Sequence, residues 1–129
     1  MKVEDVELGL EKYVFLLSAE EGNYGIYELV GELSYYPLSI EDKYKIARGL
    51  LRQLVEEDLI IMVQFKDSTL KEVIKVVSVK DIDEVLNNPI SWYPCGEMVA
   101  IKLTDKGTKY LDSHEEVYKG RLTGRWGKI

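Results

Sequence analysis

The side chains that most often carry chemistry are sparse in this sequence. It holds one histidine, His114, and one cysteine, Cys95, the latter inside a Pro-Cys-Gly turn. Two singletons give no metal-ligand spacing, and nothing matches a phosphate loop or a nucleophile elbow. With 23 Asp and Glu residues, carboxylate pairs can be drawn anywhere, so none is singled out. No catalytic set, metal site or cofactor is expected, and the reading is of a protein that is not an enzyme. What remains is recognition.

Two groups of side chains could recognise a partner. Tyr24, Tyr27, Tyr35 and Tyr36 cluster around one helical stretch, Glu28 and Glu32 stand one turn apart within it, and Trp92 adds a ring from a loop. Tyr and Trp bury much area while ordering few torsions, which makes them interface anchors. Carboxylates beside them would suit a cationic protein. The plainer reading is that these rings edge the core. The second group is basic. Lys43, Lys45, Arg48 and Arg52 precede a hairpin tip that holds Lys71, and 45, 48 and 52 share one side of a helix. That side could meet phosphates or bases. The plainer reading is a solvated face with Glu41 paired to Lys45, and hairpin lysines that discourage edge-to-edge aggregation.

Charge weighs between the two. The net charge is −6, and it is unevenly spread. Residues 1–60 hold 13 acids against 6 Lys/Arg, a balance of −7, whereas residues 61–129 hold 10 against 11, a balance of +1. The half that carries the basic helix is therefore the acidic half. Non-specific affinity for nucleic acid comes almost wholly from attraction to phosphates, so this balance argues against DNA. The apolar content of 46% suits a globular chain of 129 residues, read as one domain. No apolar run is long enough for a membrane span, the start is acidic, and the lone cysteine suits a reducing compartment. A soluble, cytoplasmic protein is expected.

The elements that would position these groups follow from periodicity. Val3, Val6, Leu10, Tyr13, Val14 and Leu17 predict an amphipathic first helix with Glu4, Glu7 and Glu11 on its solvent side, ending at Gly22-Asn23. A second helix is expected from Tyr24, broken by Tyr35-Tyr36-Pro37. Ser39 should cap a third, with Ile40, Ala47, Leu50, Leu51 and Leu54 as its buried stripe and Asp58 at the left-handed turn that ends it. Leu59–Phe65, Val73–Val79 and Met98–Leu103 read as strands. Ser78 opens a short helix between the last two, and Thr104 caps a closing helix that runs to about His114. The segment from 119 to 129 is basic and rich in glycine, with Trp126 in it, and is expected to be loosely ordered.

Two phrases, LLRQLVEEDLIIMVQF and VAIKLTDKGTKYL, carry a resemblance to the winged helix-turn-helix superfamily. The resemblance covers roughly residues 8 to 112 and implies an α+β winged-helix domain, read as residues 1–118, with a three-stranded antiparallel sheet and four to five helices. The third helix would be the one that reads DNA, and the first two strands the wing. In size, charge and architecture the chain is also similar to some bacterial immunity proteins, which sit on a toxic nuclease or other effector and block it. The leading expectation is thus an immunity-type inhibitor that covers a basic toxin. The alternative is a DNA-binding transcriptional regulator acting as a homodimer.

Overall fold

The computed structural model describes residues 2–22, 24–93 and 96–123. Among these residues, five α-helices and four antiparallel strands form an α+β fold. Helix α1 (Leu8–Glu20) lies at its centre and is buried on most sides. Leu10, Tyr13, Val14, Phe15, Leu16 and Ala19 are all in the core. The expected solvent face is not there. Glu4 sits in a separate 3-10 turn, Val3–Asp5, and Glu11 is fully buried, accepting a hydrogen bond of 2.8 Å from the Tyr36 hydroxyl. Lys12 is buried as well and is ion-paired with Glu57. A polar side chain can sit inside when a remote partner satisfies it, and local periodicity does not reveal such partners.

The second helix also starts later than its pattern suggests. Tyr24 and Gly25 form a short strand, β1, and helix α2 follows (Ile26–Glu32). Strand β1 pairs with β4 (Met98–Leu103), Tyr24 opposite Ile101 and Gly25 opposite Ala100. The sheet is therefore four-stranded, not three-stranded. Two residues are too few to show an alternation, so this strand exists only through its distant partner.

Helix α3 (Ile40–Glu56) begins where Ser39 predicts, the serine oxygen accepting from Asp42 N at 3.1 Å. Its buried stripe is Ile46, Ala47, Leu50, Leu51, Leu54 and Val55. Ile40, expected in that stripe, is 72% exposed, because the first turn projects beyond the core. Asp58 turns the chain into β2 (Ile60–Phe65) with a positive φ of 60°.

Strand β2 meets β4 along its whole length, from Ile60 opposite Leu103 to Phe65 opposite Met98. On its far side lies β3 (Val73–Val76), giving the order β1-β4-β2-β3. Both faces of the central ladder are covered. Ile60, Met62, Val99 and Ile101 join the main core, while Val63, Phe65 and Ala100 form a second cluster closed by Leu70 from the hairpin loop. This explains the nearly continuous apolar run of β2. Between β3 and β4 the chain makes helix α4 (Ile82–Asn87) and a 3-10 turn, Pro89–Trp92.

Thr104 caps helix α5 (Asp105–Tyr118), its hydroxyl oxygen accepting from Gly107 N at 3.0 Å. The same hydroxyl donates to the Asp58 carbonyl at 2.6 Å, and Thr104 N donates to the Leu59 carbonyl at 3.1 Å. One threonine thus ties the end of α3 to the start of α5. Past α5 the chain makes a 3-10 turn, Lys119–Arg121, with Arg121 paired to Glu7 and Leu122 packed on the core. Residues 124–129, which include Arg125, Trp126 and Lys128, lie outside the described residues. No helix among the described residues is long and apolar enough to cross a membrane.

Candidate functional site

The acid-and-tyrosine group is largely brought together by α2 and its flanks. Glu28 is exposed, and Tyr24, Tyr27, Glu32 and Tyr35 are each part-exposed. Glu28 also serves its own helix, since its Oε2 accepts from Gly25 N at 3.1 Å and so caps α2. The Tyr27 ring lies against Gly25, where an added Cβ would stand 2.8 Å from ring carbon Cε1. Tyr24 donates its hydroxyl proton to Glu32 at 3.3 Å. Burial, and then the charges of Glu32 and Glu28, push the Tyr24 phenol up to about 12. Both carboxylates therefore act on one partly buried ring, and the local potential is negative.

Two members of the group are not on the surface. Tyr36 is 1% exposed, with its hydroxyl spent on Glu11. Trp92 is 7% exposed, and its indole N–H donates to the Leu86 carbonyl at 2.9 Å. Both rings end inside because the aromatic body is worth burying once its polar tip finds an internal acceptor. An interface built on this face would use Tyr24, Tyr27, Tyr35, Glu28 and Glu32 instead.

Charge spacing along the chain marks the same region more sharply than residue type does. From Tyr13 to Asp42 there is no Lys, Arg or His, while Glu20, Glu21, Glu28, Glu32, Glu41 and Asp42 fall in that span. Glu20, Glu21 and Glu41 are exposed along with Glu28. Within this run Glu28 and Glu32 have no Lys, Arg or His within ten residues on either side, whereas Glu41 and Asp42 stand beside Lys43 and Lys45.

The basic group is dispersed. Lys45 is exposed and Lys43 part-exposed on α3, and Lys71 is exposed in the loop between β2 and β3. Arg52 is ion-paired with Asp83 of α4. Arg48 faces Leu86, Asn87, Pro89 and Trp92 of the segment that follows β3. Glu41 does not pair with Lys45 among the described ion pairs. Arg48 and Arg52 thus look onto α4 and the turn after it, while Lys45 on the same helix is exposed.

His114 stacks on Tyr110, centroids 3.8 Å apart, and its Nδ1 lies 2.9 Å from both Ser113 Oγ and the Tyr110 carbonyl. Cys95 lies outside the described residues. Among the described residues no group of three or more His, Cys, Asp or Glu is placed to hold a metal ion. Compared with family models, with curated proteins and with solved structures, the chain finds no match in any of the three.

Proposed function

We propose that this chain is a winged-helix domain that works as a non-enzymatic protein-binding module, an immunity-type inhibitor that occludes a basic toxin or nuclease. The winged-helix reading is supported by three successive helices, by α3 leading directly into a β-hairpin, and by β4 leading into the closing helix. The inhibitor reading rests on one observation: a cation-free stretch in which the part-exposed Tyr24, Tyr27 and Tyr35 flank the exposed Glu28 and part-exposed Glu32 around α2. Such a surface attracts a cationic active site at long range and offers ring area once contact is made. Occlusion needs no chemistry from the inhibitor itself.

The DNA-binding alternative has less support. Arg52 is committed to Asp83, and Arg48 is turned toward the segment that follows β3. Arg52 would have to leave Asp83 to reach a phosphate.

The reading predicts that a neighbouring gene encodes a larger protein with a basic C-terminal domain, and the test is co-expression with that protein. The two proteins should co-purify, the pairing should weaken as salt rises, and growth should be rescued. The double reversal Glu28→Lys/Glu32→Lys should abolish both effects. Failure to co-purify would sink the inhibitor reading. Retardation of a DNA duplex that is lost in Arg48→Ala and Arg52→Ala would put the regulator in its place.

A further inference from the structure

A cleft of about 470 Å³ opens between α3 and the segment Leu86–Tyr93. Its size falls within the range of small-molecule sites. Its walls are mainly aromatic: Tyr44 from α3, and Trp92 and Tyr93 from the turn after α4, with Pro89 beside them. The Trp92 ring is fixed from two sides. Its N–H is held by the Leu86 carbonyl, and Tyr44 meets it edge to face, centroids 5.4 Å apart and planes at 82°. The Tyr44 and Trp92 walls are therefore set before anything enters.

Besides the hydroxyls of Tyr44 and Tyr93, the polar side chains lining the cleft are Arg48 and Asn87. Among the described residues Arg48 makes no ion pair, whereas Arg52, one turn further on, has Asp83. No acidic side chain lines this cleft among the described residues, in a chain with 23 acids. Four smaller clefts among the described residues carry a cation, and each of them also carries at least one acid. A guanidinium without a counter-ion, next to flat rings, is a planar fork for a carboxylate.

We propose that this cleft binds a small planar aromatic carboxylate, its ring against Tyr44, Trp92 and Tyr93 and its carboxylate on Arg48. Asn87 supplies a further hydrogen bond at the rim. The ligand spans α3 and the segment after α4, so its binding stabilises their contact by mass action. No residue of α2 lines the cleft, and the proposal does not depend on the inhibitor reading.

The probe is 2-naphthoate, titrated into the isotopically labelled full chain and followed by two-dimensional NMR. The expected result is saturable shifts at the Trp92 indole and the Arg48 Nε–H, half-complete below about 1 mM. The neutral isostere 2-naphthamide should bind about tenfold more weakly, as should naphthoate to Arg48→Gln. Lys45→Gln, which removes an exposed cation from the same helix, should bind naphthoate as the wild type does. No saturation in that range, equal binding of acid and amide, or equal losses in the two variants would each overturn the proposal. Because the acid–amide comparison is made on the wild-type chain, it decides the matter even if Arg48→Gln folds poorly.

Discussion

Gly107 and Leu59 are in backbone contact: a Cβ on Gly107 would stand 2.1 Å from the Leu59 carbonyl oxygen and 2.9 Å from Leu103 Cδ2. The first turn of α5 is thereby pressed onto the start of β2, at the carbonyl that also accepts from Thr104 N. Backbone cannot give way as a flexible side chain can. Gly107→Ala should therefore destabilise the fold by about 3 kcal/mol, through displacement of α5. Gly49 is the control. It lies within α3 with nothing within 4 Å of its Cβ position, so Gly49→Ala should stabilise by about 1 kcal/mol. Urea unfolding curves check both, and similar midpoints for the two variants would refute the contact.

Asp58 occupies a left-handed position, φ 60°, between the end of α3 and β2. An aspartate tolerates this region better than most L-residues, but glycine enters it without strain. Asp58→Gly is expected to be neutral or up to about 1 kcal/mol stabilising, and Asp58→Val destabilising by about 1–2 kcal/mol. A valine variant as stable as the wild type would show that the turn is not held in this conformation.

Local and remote partners separate what the sequence displays from what it hides. Ser39, Asp58 and Thr104 are legible because each acts on backbone within a few residues of itself. Strand β4 is legible to its ends, Met98–Leu103, since its apolar run is bounded on both sides. Strand β1 is not, because Tyr24 gains its identity from Ile101, across most of the chain. Glu11 reads as solvent-facing for the same reason: the hydroxyl that satisfies it belongs to Tyr36, beyond α2. Within the candidate face, Tyr24, Tyr27, Glu28, Glu32 and Tyr35 can be picked out by residue type. The burial of Tyr36 and Trp92 depends on acceptors that no pattern displays.

The Tyr36 hydroxyl and the Glu11 carboxylate, 2.8 Å apart, are both buried. Tyr36→Phe keeps the ring and removes only the donor. It should cost about 1–3 kcal/mol, the loss of a buried hydrogen bond to a carboxylate. Tyr35→Phe alters a part-exposed ring and should cost less. Chemical denaturation of the two variants side by side would show the difference, and a larger loss at Tyr35 would contradict the burial of the pair.

Tyr24 offers a direct reading of the potential on α2. Burial and the charges of Glu32 and Glu28 raise its phenol to about 12, above the ordinary value of 10.0. An acid whose folded pKa is raised favours the fold while it stays protonated. That contribution is full below about 10. It is lost as pH rises through 12. Glu32→Gln removes a charge and a partner, so ultraviolet titration should find one tyrosine of the alkaline range ionising at lower pH than in the wild type. An unchanged alkaline titration would mean that the two carboxylates do not act on this ring, and the case for a negative face would weaken with it.

Lys12 and Glu57 join α1 to the end of α3, and they contribute to the acid response of the fold. The hydrogen bond from Lys12 holds the Glu57 carboxyl below its ordinary value, against the opposing effect of burial. A carboxyl lowered in the folded state contributes stability at pH values above its unfolded pKa, about 4.3. That contribution disappears as pH falls through the lower folded value, when Glu57 takes up a proton and Lys12 loses its counter-ion. Glu57→Gln mimics the protonated state at every pH. The wild type should therefore be the more stable of the two at pH 7, and their denaturation midpoints should converge as pH falls below the carboxylate range. A gap that stays constant from pH 7 to pH 3 would mean that the ion pair contributes nothing beyond the packing of its side chains.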